Sequence, residues 1–132
     1  MRKHVIYIPA LVILFFFAGC KSSIKPGDLY GKWKYIKIEH PDAGPAEMPA
    51  AQLQNASPSI EFLKNGGYVI IWGGKALSHG TFTTDGMNIR IKENLQDGTS
   101  RAFSFWVSEL KDNEIVFATL GQDGSKVTAV RE

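Results

Sequence analysis

The sequence predicts an all-β domain of about eight antiparallel strands closed into an up-and-down barrel. Three observations predict it. From Tyr30 onward, short apolar segments rich in β-branched and aromatic residues alternate with Gly and Asp/Asn turn signals, which is the punctuation of strands rather than helices. The connectors are mostly short: Asn65-Gly66-Gly67, Gly73-Gly74-Lys75, Asp85-Gly86, Asp97-Gly98, Lys111-Asp112-Asn113 and Gln122-Asp123-Gly124. Most supply residues that tolerate φ > 0 in tight hairpins, so successive strands pair as antiparallel neighbours. A meander of this many strands removes its exposed edges most simply by closing on itself.

Before the strands comes an export signal. Arg2 and Lys3 supply its positive end and residues 5–17 its apolar run, which is too short and wrongly flanked for a stable membrane span. Phe17-Ala18-Gly19-Cys20 resembles the lipobox of bacterial lipoproteins, with phenylalanine where that family most often has leucine. The resemblance implies a signal peptide over residues 1–19, an acylated Cys20 as the first mature residue, and a lipid-anchored place in the bacterial cell envelope, at the outer membrane. Residues 20–28 then read as a lipidated tether, polar and broken by Pro26-Gly27. The eight residues after Cys20 reach at most about 28 Å when extended. Residues 29–132 are the barrel domain.

The expected strands are residues 32–39 (KWKYIKIE), 59–64 (SIEFLK), 68–72 (YVIIW), 77–83 (LSHGTFT), 87–92 (MNIRIK), 101–110 (RAFSFWVSEL), 114–120 (EIVFATL) and 126–131 (KVTAVR). Alternation is clearest at Met87-Asn88-Ile89-Arg90-Ile91-Lys92, where one face is dry and the other wet. Val69-Ile70-Ile71-Trp72 is apolar on both faces, so that strand either lies beneath a loop or meets a partner. Only one connection is long, residues 40–58, and it holds four of the six prolines. Residues 46–55 have the pattern of one or two amphipathic helical turns. Such a connection in a compact β domain is a lid or binding element, or else disordered; as a lid, its apolar underside would be Met48 and Leu53.

Composition bounds the rest. About 110 residues follow the signal, enough for an independent core without cross-links. None is available, because Cys20 is the single cysteine. The 15 basic and 13 acidic residues become equal in number once Arg2 and Lys3 are removed, so no long-range field exists to draw in nucleic acid. No polybasic run follows Cys20, and attachment to the bilayer falls to the acyl chains.

Leu29-Tyr30-Gly31-Lys32-Trp33 has the Gly-x-Trp spacing that opens lipocalin-like proteins. It is followed by Phe62-Leu63-Lys64-Asn65-Gly66, Gly80-Thr81-Phe82 and Leu110-Lys111-Asp112-Asn113. That series resembles the small lipocalin-like domains of bacterial lipoproteins over nearly the whole mature chain. The resemblance implies a lipocalin-like barrel whose Gly-x-Trp tryptophan plugs the closed end beneath an arginine of the last strand. The matching residues are Trp33 and Arg131, a stacking pair worth about 0.5 to 2 kcal/mol. The chain is shorter than a full lipocalin and lacks its later motifs, which argues against a wide cavity and for bulky side chains filling a small barrel.

Phe62, Tyr68, Ile70, Trp72, Phe82, Phe103, Phe105 and Phe117 read first as that core. Trp106 lies on the opposite face from Phe103, Phe105 and Val107 and marks an outward contact, a loop neighbour or the lipid interface. The candidate contacts for a ligand or partner are Met48, Leu53, Tyr68, Trp72, Phe105 and Trp106. Enzyme chemistry is not indicated. Ser78 or Ser104, His79 and Asp85 form a triad only on paper, since adjacent strand residues point to opposite faces. Glu61, Glu93 and Glu109 read as solvated strand positions. His40 and His79 lack the companions a metal needs, and no cofactor is implied. Two functions stay open: binding of a small apolar ligand or envelope component, and a protein-binding module that uses the outer barrel surface.

Overall fold

The computed structural model describes residues 23–40, 47–119 and 124–132. Its eight strands, β1 (Gly31–Glu39), β2 (Ser59–Phe62), β3 (Gly67–Trp72), β4 (Lys75–Asp85), β5 (Asn88–Asn94), β6 (Ser100–Leu110), β7 (Glu114–Thr119) and β8 (Lys126–Arg131), form one closed barrel in sequence order, every neighbour antiparallel. β1 closes on β8 with Trp33 opposite Arg131. All eight expected strands are present, and β8 has the expected bounds. β2 stops at Phe62 instead of residue 64 because the Leu63 N–H turns to the Gly67 carbonyl to close the hairpin. Cys20 and the signal peptide lie outside the described residues, as do residues 41–46 of the long connection and Leu120 of the seventh expected strand.

One end of the barrel is plugged. Trp33 is fully buried there, its indole N–H donates to the Leu29 carbonyl at 2.9 Å, and the Arg131 guanidinium lies 4.1 Å from its ring centroid. Arg131 donates to three carbonyls, from Nη1 to Tyr30, from Nη2 to Asp28 and from Nε to Asp112, so one cation ties the N-terminal segment, the β6–β7 hairpin and β8 together. Gly31 sits at φ 122°, and a Cβ there would stand 3.2 Å from Arg131 Nη1. A side chain is strained at that position by conformation, and its Cβ would press on the guanidinium. Above this plug Ile60, Phe62, Phe82, Ile89, Ile91, Val107, Ile115 and Ala129 pack the lower barrel, with Phe62 and Phe82 edge to face at 4.9 Å.

The segment expected as a tether is part of the domain from Ile24 onward. Ile24 and Leu29 are core residues, the Ile24 N–H donates to the Gly86 carbonyl in the β4–β5 turn, and Pro26–Leu29 forms a short helix, α1. The correction has a simple cause: two apolar side chains in a polar stretch find the barrel's closed end within reach, and each is worth about 1.5 to 3 kcal/mol when buried.

Three register shifts change side-chain parity. In β1 the shift falls between Tyr35 and Lys37, in the β3–β4 pair Leu77 is the unpaired residue, and in β6 it falls between Val107 and Glu109. The first allows Trp33, Tyr35 and Ile38 all to face inward although strict alternation would separate them, and it leaves Ile36 48% exposed.

The long connection contains helix α2 (Ala50–Ala56), ended by Ser57 in the left-handed region with its N–H on the Leu53 carbonyl. β1 runs past its last β2 partner at Lys34, and α2 packs against β1 there. Leu53 is buried in this wall beside Tyr35 and Ile36. It is therefore not the underside of a lid over the mouth, as its sequence position suggested. The Ala56 carbonyl accepts the Gly73 N–H at the end of β3, which places the connection beside the strand that is apolar on both faces.

Candidate functional site

The barrel interior is packed in its lower half and open in its upper half, which corrects the expectation of a filled barrel. A cavity of about 730 Å³ opens at the end opposite Trp33, within the range of small-molecule sites. β6 and β7 give it Phe103, Phe105 and Phe117, β3 gives Ile70 and Trp72, and β1 and β8 give Tyr35, Ile38 and Val127. Met48 enters from the long connection, its backbone N–H on the Ile38 carbonyl. Phe105 stacks near Phe117 at 4.8 Å and near Phe103 at 5.4 Å, so one side is a continuous aromatic surface. The half-open interior follows from the residues at the two levels. Below, large side chains face one another from all sides; above, Gly80 and Ser78 occupy β4.

One cross-strand row brings the charged pair of the lining, Glu93 and Arg101, into place. Tyr68 stands opposite Gly80, Gly80 opposite Glu93, and Glu93 opposite Arg101, across β3, β4, β5 and β6. A Cβ on Gly80 would come within 2.0 Å of the Lys92 carbonyl oxygen, so the close approach of β4 and β5 requires glycine, and its absent side chain leaves room between Tyr68 and Glu93. The Tyr68 hydroxyl shares a 2.7 Å hydrogen bond with Ser78. Glu93 accepts from Arg101 Nε at 3.0 Å and Nη2 at 2.6 Å, both at Oε1. At the rim, Ser125 Oγ lies 3.0 Å from His40 Nδ1.

Burial raises the Tyr68 phenol above its ordinary value; the Ser78 hydrogen bond pulls it down, the Glu93 charge adds to the rise, and Arg101 opposes it. Burial alone raises Tyr35 strongly. Both remain neutral phenols around neutral pH, and Tyr35 offers the cavity an aromatic face.

Of the residues expected to contact a ligand or partner, Met48, Trp72 and Phe105 line the cavity. Tyr68 lies behind the wall and reaches it through Ser78. Leu53 belongs to the α2 wall, and Trp106 is on the outer surface, 46% exposed, opposite Asn88 and Ala118. Glu93 is the residue that sequence reasoning misplaced. It is buried inside the barrel rather than solvated at an edge. The signal was present, because Glu93 continues the inward parity of Ile89 and Ile91 by one more step. Ser78 is held by Tyr68 on the inner face while His79 is exposed on the other.

An eight-stranded antiparallel meander with one end plugged by a Trp–Arg stack and the other opening on an apolar cavity is a lipocalin-like barrel. Solved structures agree. A lipocalin-like protein from Bacteroides uniformis superposes with a TM-score of 0.55 over 80% of this chain and 100% of its own, at 18% sequence identity. An uncharacterized protein from Bacteroides eggerthii does so with a TM-score of 0.51 over 79% of this chain and 99% of its own, at 16% identity. No family model and no curated protein matches the sequence.

Proposed function

We propose that this chain is a lipid-anchored, non-enzymatic binding protein of the bacterial cell envelope, whose barrel takes up a small, largely apolar ligand through its open end. The observation that supports this most directly is the aromatic cavity above a fully packed base. A barrel that needed only stability would fill that space, since voids lose packing energy at about 24 cal/mol per Å³. The anchor rests on Phe17-Ala18-Gly19-Cys20, and the docking of Ile24 gives it a geometry. The three residues 21–23 separate Cys20 from the closed end, a reach of about 14 Å from Cys20 to Ile24 at full extension. The plugged end then faces the bilayer and the mouth opens away from it, so the ligand arrives from the aqueous side.

Among the described residues the hydrophobic core is drawn from residues 24–129, so the chain from Lys21 onward keeps it and is suited to solution experiments. Titration with N-phenyl-1-naphthylamine, a neutral apolar fluorophore, should give saturable enhancement that Ile70→Trp, which fills the cavity, abolishes without loss of the β-sheet circular dichroism. Unsaturable or absent enhancement in the wild type would remove the support for a ligand site. The exposed Trp106 favours a second reading, a protein-binding module acting through the outer wall. Under that reading Trp106→Ala, not Ile70→Trp, abolishes capture of an envelope partner.

A further inference from the structure

Among the described residues lining the cavity, Arg101 brings a guanidinium and Glu93 the one carboxylate. The Glu93 side chain is nine-tenths buried, and both Arg101 donors converge on Oε1. Among the described residues no donor reaches Oε2, so the lone pairs of one carboxylate oxygen open on the cavity. A buried charge costs stability unless it is partnered; Oε2 keeps enough exposure not to be a buried unsatisfied atom, so water or a ligand donor can occupy it.

The countercharge is placed differently. The Arg101 side chain is 65% exposed at the rim, over the edge of Phe103, where water screens it. Glu93 lies in a medium of lower dielectric, where charge acts at greater strength. A head group inside the cavity therefore meets negative potential and an acceptor. The other polar pairs facing the space, Tyr68 with Ser78 and His40 with Ser125, are bonded to each other and bring neither a carboxylate nor a guanidinium.

We infer that the ligand is an amphiphile whose head donates a hydrogen bond, a primary amine or an alcohol, seated on Glu93 Oε2 with its tail against Trp72, Phe103 and Phe105. This rests on the cavity being the ligand site and adds the chemistry of the head. A carboxylate head is disfavoured by the like charge of Glu93, with which two of the five Arg101 donors are already engaged.

The test is displacement of N-phenyl-1-naphthylamine by dodecylamine, dodecanol and dodecanoate at neutral pH. Dodecylamine should displace the probe at a concentration about tenfold lower than dodecanoate, the effect of one charge-assisted hydrogen bond, with dodecanol between them. Glu93→Gln frees Arg101 and should reverse the order; Arg101→Gln leaves Glu93 unopposed and should widen the preference for the amine. Dodecanoate displacing the probe as well as dodecylamine in the wild type overturns the head-group assignment while leaving the cavity reading in place. Failure of the wild type to bind the probe at all overturns both. Should Glu93→Gln not fold, the wild-type order and the Arg101→Gln shift decide the matter.

Discussion

Trp33 and Arg131 hold the plugged end together through burial, stacking and four hydrogen bonds to main-chain carbonyls. Trp33→Ala should cost about 3 to 5 kcal/mol, since a fully buried indole leaves a cavity at the plug. Arg131→Lys keeps the charge but loses the planar fork that serves three carbonyls. Its cost should be smaller, about 1 to 3 kcal/mol. Urea unfolding followed by tryptophan fluorescence measures both, and an unchanged midpoint in Trp33→Ala would contradict the plug. Gly80→Ala is the sharpest test of backbone proximity, because the clash is with a carbonyl rather than a movable side chain; it should lower the midpoint more than Trp106→Ala on the outer wall. Tyr35 sets a pH dependence. Its phenol ionises near 10.0 when unfolded and well above that when folded, so the unfolded state gives up its proton first as pH rises. Stability is intact below that value and declines above it. Tyr35→Phe should flatten the fall in urea midpoint between pH 9 and pH 11, values chosen to lie about one unit either side of the unfolded pKa.

At the scale of elements, the long connection divides into parts with separate work. Leu53 in α2 packs the wall where β2 has ended, whereas Met48 lines the mouth. Leu53→Ala should therefore cost about 2 to 4 kcal/mol in stability, while Met48→Ala should weaken probe binding several-fold with a smaller change in midpoint. Equal effects of the two on binding would restore the idea of a single lid. Strand positions were legible in the sequence because turn residues are local signals, and all eight appear where Gly, Asp and Asn bracket apolar runs. Bulges were not legible. A register shift depends on the partner strand, so nothing local to residues 32–39 shows that parity changes at Ile36 and that Ile38, not Lys37, turns inward. Glu93 was lost for the opposite reason: its parity was readable, but a carboxylate is so rarely buried that its residue type outweighed its position.

At the scale of the molecule, closure gives the barrel a plugged end and a mouth, and the proposed anchor would set which of them faces the bilayer. On acylated protein in vesicles, a fluorophore attached through Asp112→Cys in the β6–β7 hairpin at the plugged end should be quenched by headgroup-located quenchers. The same label at Asp97→Cys, in the β5–β6 hairpin at the mouth, should not. The reverse pattern would turn the mouth toward the bilayer. Under the proposed anchoring, Cys20→Ser removes the residue that would accept the lipid, and its product should leave the membrane fraction in a high-salt wash, because without acyl chains a near-neutral domain has little to hold it there.

The sequence by itself determined the fold class and the number and order of strands, because periodicity and turn chemistry are written in neighbouring residues, while the resemblance to lipocalin-like domains pointed to Trp33 and Arg131 as the closed-end pair. Tertiary structure alone decided that Ile24 and Leu53 join the core, that the upper barrel stays open, and that Tyr68, Gly80, Glu93 and Arg101 line up in one row. Those outcomes depend on which side chains meet across the barrel, from Tyr68 and Arg101 in one row to Ile24 on Gly86 and Tyr35 on Phe117, all far apart in the chain. Volume left over and charge left half-paired become visible only once the barrel has closed around them.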